Sequence, residues 1–337
     1  MYQQFYNLRE LPFELTPNPK YLFMTRRHRE ALSNLQYGLS SAKPITVLIG
    51  EAGTGKTTLL HTALGSAPCQ NVVCVYLNNP ALTRAEFVEV LSQRFNLGPE
   101  AGESKAALLR ELEGVLRERR ARGLISALVI DEAQSLSPEL LEEVRLLANI
   151  ETTTEKLLPL VLAGQPELGD RLNEVGLRQL KQRVALRCEI SPFNQDETAA
   201  FIAHRVRVAG GDAAALFTRE AVKLIHLKSG GIPRVISVMC DNALLTGCGL
   251  NRRPVDSAIV LEVSRDFDLG GAELNSETGI EGTVEAATQL RPLDPPPAPV
   301  LVEAEPLPAQ RIESMQTEPQ LFGAAATRRR FSFFGGR

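Results

Sequence analysis

Five short apolar runs punctuate the first 190 residues: ITVLIG at 45–50, NVVCVYL at 71–77, ISALVID at 125–131, PLVLAG at 159–164 and VALRCEI at 184–190. Each is close to continuous rather than alternating, the signature of strands buried on both faces. The stretches between them carry helical periodicity, so the pattern predicts an α/β domain with a parallel five-stranded sheet. The helix starts are legible. Thr83 with Glu86 forms a capping box, Ser104 opens a run through Arg122 that Gly123 stops, and Ser137 precedes Pro138 at a first turn. After residue 190 only helical signals remain: Asn194 with Glu197, Thr218, Pro233, and a last helix over 256–267. The expected organisation is an N-terminal flank and helix (1–44), a sheet domain (45–190), a helical lid (191–268) and a tail (269–337).

Composition changes this picture only at its end. The chain has 337 residues, of which 44% are hydrophobic, enough for a sizeable core. Residues 269–337 hold nine acids, six arginines and eight of the 21 prolines with no apolar period, which reads as a disordered segment. The remainder is charge-balanced, so no global field calls for nucleic acid. Five cysteines without a CxxC pair and four histidines without ligand spacing argue for reduced thiols, no zinc site and a cytoplasmic setting. No apolar run reaches the 18 or so residues of a membrane span, and the start carries no signal-peptide pattern.

The chemistry begins at GEAGTGKT, residues 50–57, which fits GxxxxGK[ST] between a strand and the apolar helix TTLLHTAL. Gly50, Glu51, Ala52, Gly53, Thr54 and Gly55 form a loop whose amides face phosphate oxygens. Lys56 reaches the terminal phosphates, Thr57 offers a hydroxyl to Mg2+, and Thr58, next along the helix, completes the nucleotide-binding set. A bare match is expected by chance in about one of a hundred such chains, and the strand-loop-helix context lowers that figure. In LVIDEAQ, Asp131 ends a strand and is placed to hold Mg2+ through water. Glu132 beside it is placed to take a proton from a water attacking the γ-phosphate, which points to ATP hydrolysis rather than storage.

A two-lobed helicase needs a second α/β lobe, and only about 80 helical residues follow the sheet. A P-loop domain with a small helical lid is instead the plan of AAA+ ATPases. On that plan Gln165, at the tip of PLVLAG, orients the attacking water. Arg183 or Arg178, ahead of the fifth strand, is presented to a neighbouring subunit's γ-phosphate. Arg234, after the glycine turn of SGGIPRVI, senses nucleotide from the lid. The plainer alternatives are a solvated strand end for Gln165 and a helix-dipole partner for the basic pair.

The string MYQQFYNLRELPFELTPNPKYLF, the P-loop, LVIDEAQ, LAGQPEL, LKQR and GGIPRVISVMCDNALL, in that order, resembles the general secretion pathway protein A (ExeA-like) ATPases and the related exosortase-locus ATPases over about residues 1–268. The resemblance implies an AAA+ fold, ATP with Mg2+, a homo-oligomer, and envelope secretion or export proteins as partners. The implied location is the cytoplasm, peripheral at the inner membrane. Secretion members usually continue into a transmembrane helix and a wall-binding domain, absent from this sequence, and Ser237 stands where relatives tend to carry asparagine. DNA-transposition regulators share much of the pattern, so a DNA-binding ATPase is the alternative. The basic TRRHRE stretch, with Arg26, Arg27 and Arg29, keeps that alternative open beside a simple solvated helix face. A GTPase-like switch is weaker, because its base-specifying motif is missing.

Two flanks remain. Ahead of the first strand, Phe13, Pro17 and Tyr21 are placed either to wall the adenine or to pack in the core. At the other end, Arg328, Arg329, Arg330 and Arg337 are mixed with Phe331, Phe333 and Phe334, a docking peptide or an inert end. Basic residues near an anionic membrane contribute about 1 kcal/mol each, so one such tail holds weakly and several on an oligomer hold better.

Overall fold

The computed structural model describes residues 2–267, except Pro17, Asn79, Pro80 and Glu103 and the side chain of Pro19. The readings placed on 268–337, the disordered tail and its basic-aromatic end, lie outside the described residues, as does that on Pro17. All described residues fall within one compact unit.

The five predicted strands form β1 (Ile45–Gly50), β2 (Val72–Leu77), β3 (Ile125–Ile130), β4 (Leu160–Gly164) and β5 (Val184–Ile190). Their order across the sheet is β2-β3-β4-β1-β5, and every pairing is parallel. Helices α2 (Arg26–Ser40) and α3 (Lys56–Leu64) cover one face. There Leu35, Leu39, Leu59 and Leu60 meet Leu48, Val129 and Val161 in a fully buried layer. Helices α4 (Arg84–Phe95), α5 (Lys105–Ala121) and α6 (Pro138–Leu147) cover the other, packing Phe87, Leu112 and Leu140 on Val47, Leu128 and Leu162. The apolar continuity of the strands is thus explained, because both faces are walled.

The caps act as the sequence indicates. Thr83 and Glu86 form a reciprocal box at the start of α4, and Asn194 and Glu197 form another at α9 (Gln195–Val208). Ser104 and Ser137 cap α5 and α6 through their hydroxyls. Each such cap satisfies one of the backbone N–H groups that a helix start leaves open, worth about 1 kcal/mol.

Beyond β5 the chain forms α9, α10 (Ala213–Leu216), α11 (Arg219–Ser229), α12 (Pro233–Gly249) and α13 (Ser257–Asp266) around their own core. The first residues of the chain join this core rather than the sheet. Tyr2, on the one-turn helix α1 (Tyr2–Phe5), donates its hydroxyl to Asp241 on α12, and the Arg9 amide donates to Ala209 O at 2.8 Å. Tyr6, Leu8, Phe13 and Tyr21 are buried among Phe201, Ile236 and Met239. The flank expected as a single piece over 1–44 therefore divides: residues 2–23 pack with the lid, and α2 packs with the sheet. Phe13 sits in the lid core, stacked edge-on to Phe217 at 6.2 Å, and forms no part of a cleft wall.

All five cysteines are free thiols. Burial pushes the Cys74 thiol up to about 12 and Cys188 to about 11, so both stay protonated. Among the described residues no helix is long and apolar enough to cross a membrane.

Candidate nucleotide site

The carboxyl end of β1 lies between β4 and β5, and chains leaving a parallel sheet at such a point open a crevice. Here the loop 50–55 runs into α3 through Gly55, whose backbone has φ of 100°. Gly53 is left-handed with φ +81°, and a Cβ there would lie 2.9 Å from the Cβ of Arg234. Glycine is required twice over at that position, for its backbone and for the close approach of the lid. The Arg234 amide donates to Gly53 O at 3.3 Å, tying the start of α12 to the loop. In the lid, Gly231 (φ +74°) accepts the Phe193 amide at 2.8 Å, and any side chain at 231 would collide with the Phe193 carbonyl.

A cleft of about 410 Å³ lies over this loop. Its walls include Ala52–Thr58, Glu132, Arg234 and Arg205, with Glu14 and Tyr21 from the N-terminal segment. Lys56 is buried, with Nζ donating to Gly50 O at 2.8 Å and Glu51 O at 3.1 Å. Burial pulls its ammonium below the ordinary value, while the fields of Glu132 and Asp131 oppose that shift.

Beneath the loop, Thr57 Oγ1 donates to Asp131 Oδ2 at 2.7 Å. Asp131 follows β3 by one residue; its amide donates to Leu77 O at 2.9 Å, fixing it to the edge of β2. Its Oδ1 accepts the Glu132 amide at 3.0 Å. Glu132 has φ of 53°, a left-handed conformation that a residue with a Cβ adopts only where its surroundings enforce it. Those surroundings are identifiable. Glu132 Oε2 accepts from Gln134 Nε2 at 2.6 Å and from Gln165 Nε2 at 3.4 Å, while Gln134 Oε1 accepts the Gln165 amide at 3.1 Å. Arg171 on α7 (Pro166–Arg171) holds this turn by donating to Gln134 O at 2.6 Å and Leu136 O at 2.7 Å.

Asp131, Glu132 and Arg234 are thus brought to the phosphate loop, and Gln165 joins them through Glu132 and Gln134 without lining the cleft. Arg183 and Arg178 are not. Arg183 immediately precedes Val184, which pairs with Ile45 at the amino end of β1. Six residues of strand separate that edge from the loop, roughly 17 Å at 3.3 Å per residue. Arg178 is exposed at the start of α8 (Arg178–Lys181). Neither reaches the cleft of its own chain.

Three partners in this site escape the sequence patterns. Tyr76 on β2 donates its hydroxyl to Asp131 Oδ2 at 2.9 Å. Burial, with the neighbouring carboxylate, pushes its phenol well above the ordinary value, so it remains a donor. Gln134 lies within LVIDEAQ, two residues past the acidic pair, but only the fold shows its amide against Glu132. His28 belongs to the basic stretch TRRHRE, yet it is buried while Arg26, Arg27 and Arg29 are exposed. Its Nε2 lies 3.1 Å from Thr54 O and its Nδ1 2.8 Å from Thr25 Oγ1. A neutral ring with the proton on Nε2 satisfies both contacts, and burial lowers its pKa accordingly.

The donors under the loop suit a hard divalent cation: a hydroxyl and a carboxylate 2.7 Å apart, both oxygen ligands. Among the described residues no group of three or more His, Cys, Asp or Glu gathers to hold a metal alone.

The AAA domain family matches residues 39–172. General secretion pathway protein A of Aeromonas hydrophila is 41% identical over 245 residues, covering 73% of this chain and 44% of that protein. The chain therefore spans less than half the length of that relative. Cdc6p from Pyrobaculum aerophilum superposes with a TM-score of 0.57 at 19% identity, over 76% of this chain and 70% of that one. The ORC2 protein of Aeropyrum pernix gives 0.55 at 16% identity, over 76% and 71%. These two likenesses concern the fold. The chain carries an AAA domain of the P-loop class and is a relative of general secretion pathway protein A.

Proposed function

We propose that this chain binds ATP with Mg2+ in the cleft, hydrolyses it, and works as a homo-oligomer on a secretion or export assembly at the cell envelope. The observation that carries the reading is the Thr57–Asp131 contact at 2.7 Å beneath a cleft walled by Ala52–Thr58 and Glu132. In this reading Lys56 leaves the loop carbonyls for the terminal phosphates, and Thr57 and Asp131 hold the metal. A metal held there would supply charge neutralisation to the phosphates. Glu132 accepts the proton of the attacking water, Gln165 orients that water, and Arg234 contacts the nucleotide from the lid. Arg183, remote from its own cleft, acts on a neighbour's nucleotide, which requires more than one copy.

The test measures binding and turnover on the same samples. Glu132→Gln should keep ATP affinity within about threefold while turnover falls by about 10²-fold or more, since proton acceptance alone is lost. Arg183→Ala should lower turnover by about 10³-fold or more and remove its rise with protein concentration. Affinity collapsing together with rate in Glu132→Gln would remove the assigned role. Turnover independent of protein concentration would remove the trans arginine.

Similarity to general secretion pathway protein A supports the envelope setting, with the chain in the cytoplasm and peripheral at the inner membrane. The alternative, a DNA-binding ATPase, rests on the exposed Arg26, Arg27 and Arg29. Arg27 is already bonded to Ser191 at 2.6 Å and Arg29 to Met24 O at 3.0 Å, which favours the first reading. Salt-sensitive retardation of duplex DNA in the presence of ATP would reverse that preference.

A further inference from the structure

Asp131 is the most constrained carboxylate in the site. Its Oδ1 accepts the Glu132 amide at 3.0 Å, and its Oδ2 accepts two hydroxyls, Thr57 at 2.7 Å and Tyr76 at 2.9 Å. The first two donors are built into the phosphate loop and the acidic turn. The third comes from β2, the edge strand, whose Leu77 O also accepts the Asp131 amide at 2.9 Å. The Tyr76 ring is partly buried against the layer beneath α2 and α3, and it stacks on the exposed His61 ring of α3, centroids 5.1 Å apart with planes 14° from parallel. These contacts hold the phenol with its hydroxyl on Asp131.

We infer that Tyr76 is a positioning residue for the metal site, holding Asp131 so that its carboxylate stays beside the Thr57 hydroxyl, the pair that would hold the cation. The inference rests on the reading of the cleft as a Mg2+–nucleotide site. Without the Tyr76 hydroxyl, Asp131 keeps its charge and its other two donors but gains rotational freedom about the bond that sets Oδ2. Mg2+ demands near-octahedral geometry and tolerates that freedom poorly, whereas an ion with a more forgiving shell tolerates it better. A general packing role for Tyr76 would make no distinction between metals.

The experiment follows binding of a fluorescent ATP analogue to the full chain while Mg2+ or Mn2+ is titrated, with a parallel series in EDTA. Tyr76→Phe should raise the half-saturating Mg2+ concentration roughly tenfold, the scale of losing one hydrogen bond to a charged acceptor. The same variant should shift the Mn2+ curve by less than about threefold and leave the EDTA affinity unchanged. His61→Ala, which frees the ring but keeps the hydroxyl, should shift the Mg2+ curve in the same direction by a smaller factor. It provides the reading if Tyr76→Phe fails to fold. Coincident Mg2+ curves for wild type and Tyr76→Phe, an equal shift with Mn2+, or an equal loss in EDTA would overturn the inference. Failure of the wild-type chain to bind nucleotide under any condition would instead remove the underlying reading of the cleft.

Discussion

The two walls of the cleft are built on different principles. On the sheet wall each catalytic-type side chain has a partner: Lys56 on two carbonyls, Asp131 on two hydroxyls and an amide, Glu132 on two side-chain amides. On the lid wall polarity is buried less completely paired. Of the four buried side-chain atoms without a partner among the described residues, three belong to the lid and its N-terminal segment: Tyr21 Oη, His204 Nε2 and Arg205 Nε. Buried polar groups cost free energy unless hydrogen-bonded, so the sheet wall is a rigid cradle and the lid wall holds the poorly compensated groups. The difference teaches where stability and adaptability sit, with the loop and acidic pair set firmly and the covering helices held mainly by packing.

The strongest way to break that contrast is through Phe13. Its ring is 1% exposed in the lid core, contributed by a segment nearly 200 residues from the helices it packs on. Phe13→Ala should destabilise the fold by about 3–5 kcal/mol, the usual cost of removing a buried aromatic ring. Urea unfolding followed by two probes, one in the sheet and one in the lid, checks this. The lid probe should lose its cooperativity with the sheet or move to lower urea first. Loss confined to the sheet probe would mean that the N-terminal segment is not part of the lid.

That segment also marks the boundary of what the sequence reveals. The strands, the caps at Thr83, Ser104, Ser137 and Asn194, and the phosphate loop are local signals, each written in fewer than ten consecutive residues, and all appear at the expected positions within a residue or so. Residues 2–23 carry no such period. Their partners are tertiary, as between Tyr2 and Asp241, and no spacing rule connects positions so far apart. Tyr76 shows the same limit inside the site. In NVVCVYL it is an ordinary strand residue, and only the parallel pairing of β2 with β3 sets it beside Asp131. Arg183 is the converse case, legible as a basic position before β5, but the role proposed for it depends on a second copy.

Arg205 sharpens the comparison with a smaller effect. Its guanidinium donates to Ser237 Oγ and Glu14 O, both at 3.1 Å, and lies 5.1 Å above the Tyr21 ring and 5.4 Å from that of Phe201. Ser237, which accepts from Arg205, also donates its hydroxyl to Pro233 O at 2.9 Å. Burial pulls the Arg205 guanidinium below its ordinary value, the expected strain of a cation with an unpaired Nε. Arg205→Met keeps the stem against the rings and removes the charge, trading two hydrogen bonds for relief of that burial. The net cost should be about 1 kcal/mol, well below Phe13→Ala, in the same urea experiment. A cost equal to Phe13→Ala would show that polar contacts, not packing, hold the lid.

The smallest effect tests the rigid side through pH. His28 is buried between Thr25 and Thr54 under the phosphate loop, and desolvation lowers its pKa from the ordinary 6.5, with the bond to the Thr54 carbonyl and the Glu197 charge opposing. The unfolded chain then binds a proton that the folded chain refuses, so this contribution to stability is fully present above about pH 6.5 and is lost as pH falls towards the folded value. His204, depressed by burial and by Arg207 and Arg205, acts in the same sense from the lid. The paired carboxylates Glu142, Glu151 and Glu155 are held below their ordinary 4.5 and leave the range above pH 5 to the histidines. Thermal midpoints measured between pH 5 and 7.5 should therefore decline on the acid side, and His28→Gln, whose amide still reaches Thr54 O, should flatten part of that decline. His204→Gln should flatten the rest. An acid limb unchanged in His28→Gln would mean that the ring charges without disturbing the loop, and the claim that the sheet wall is the rigid partner would lose its support at that point.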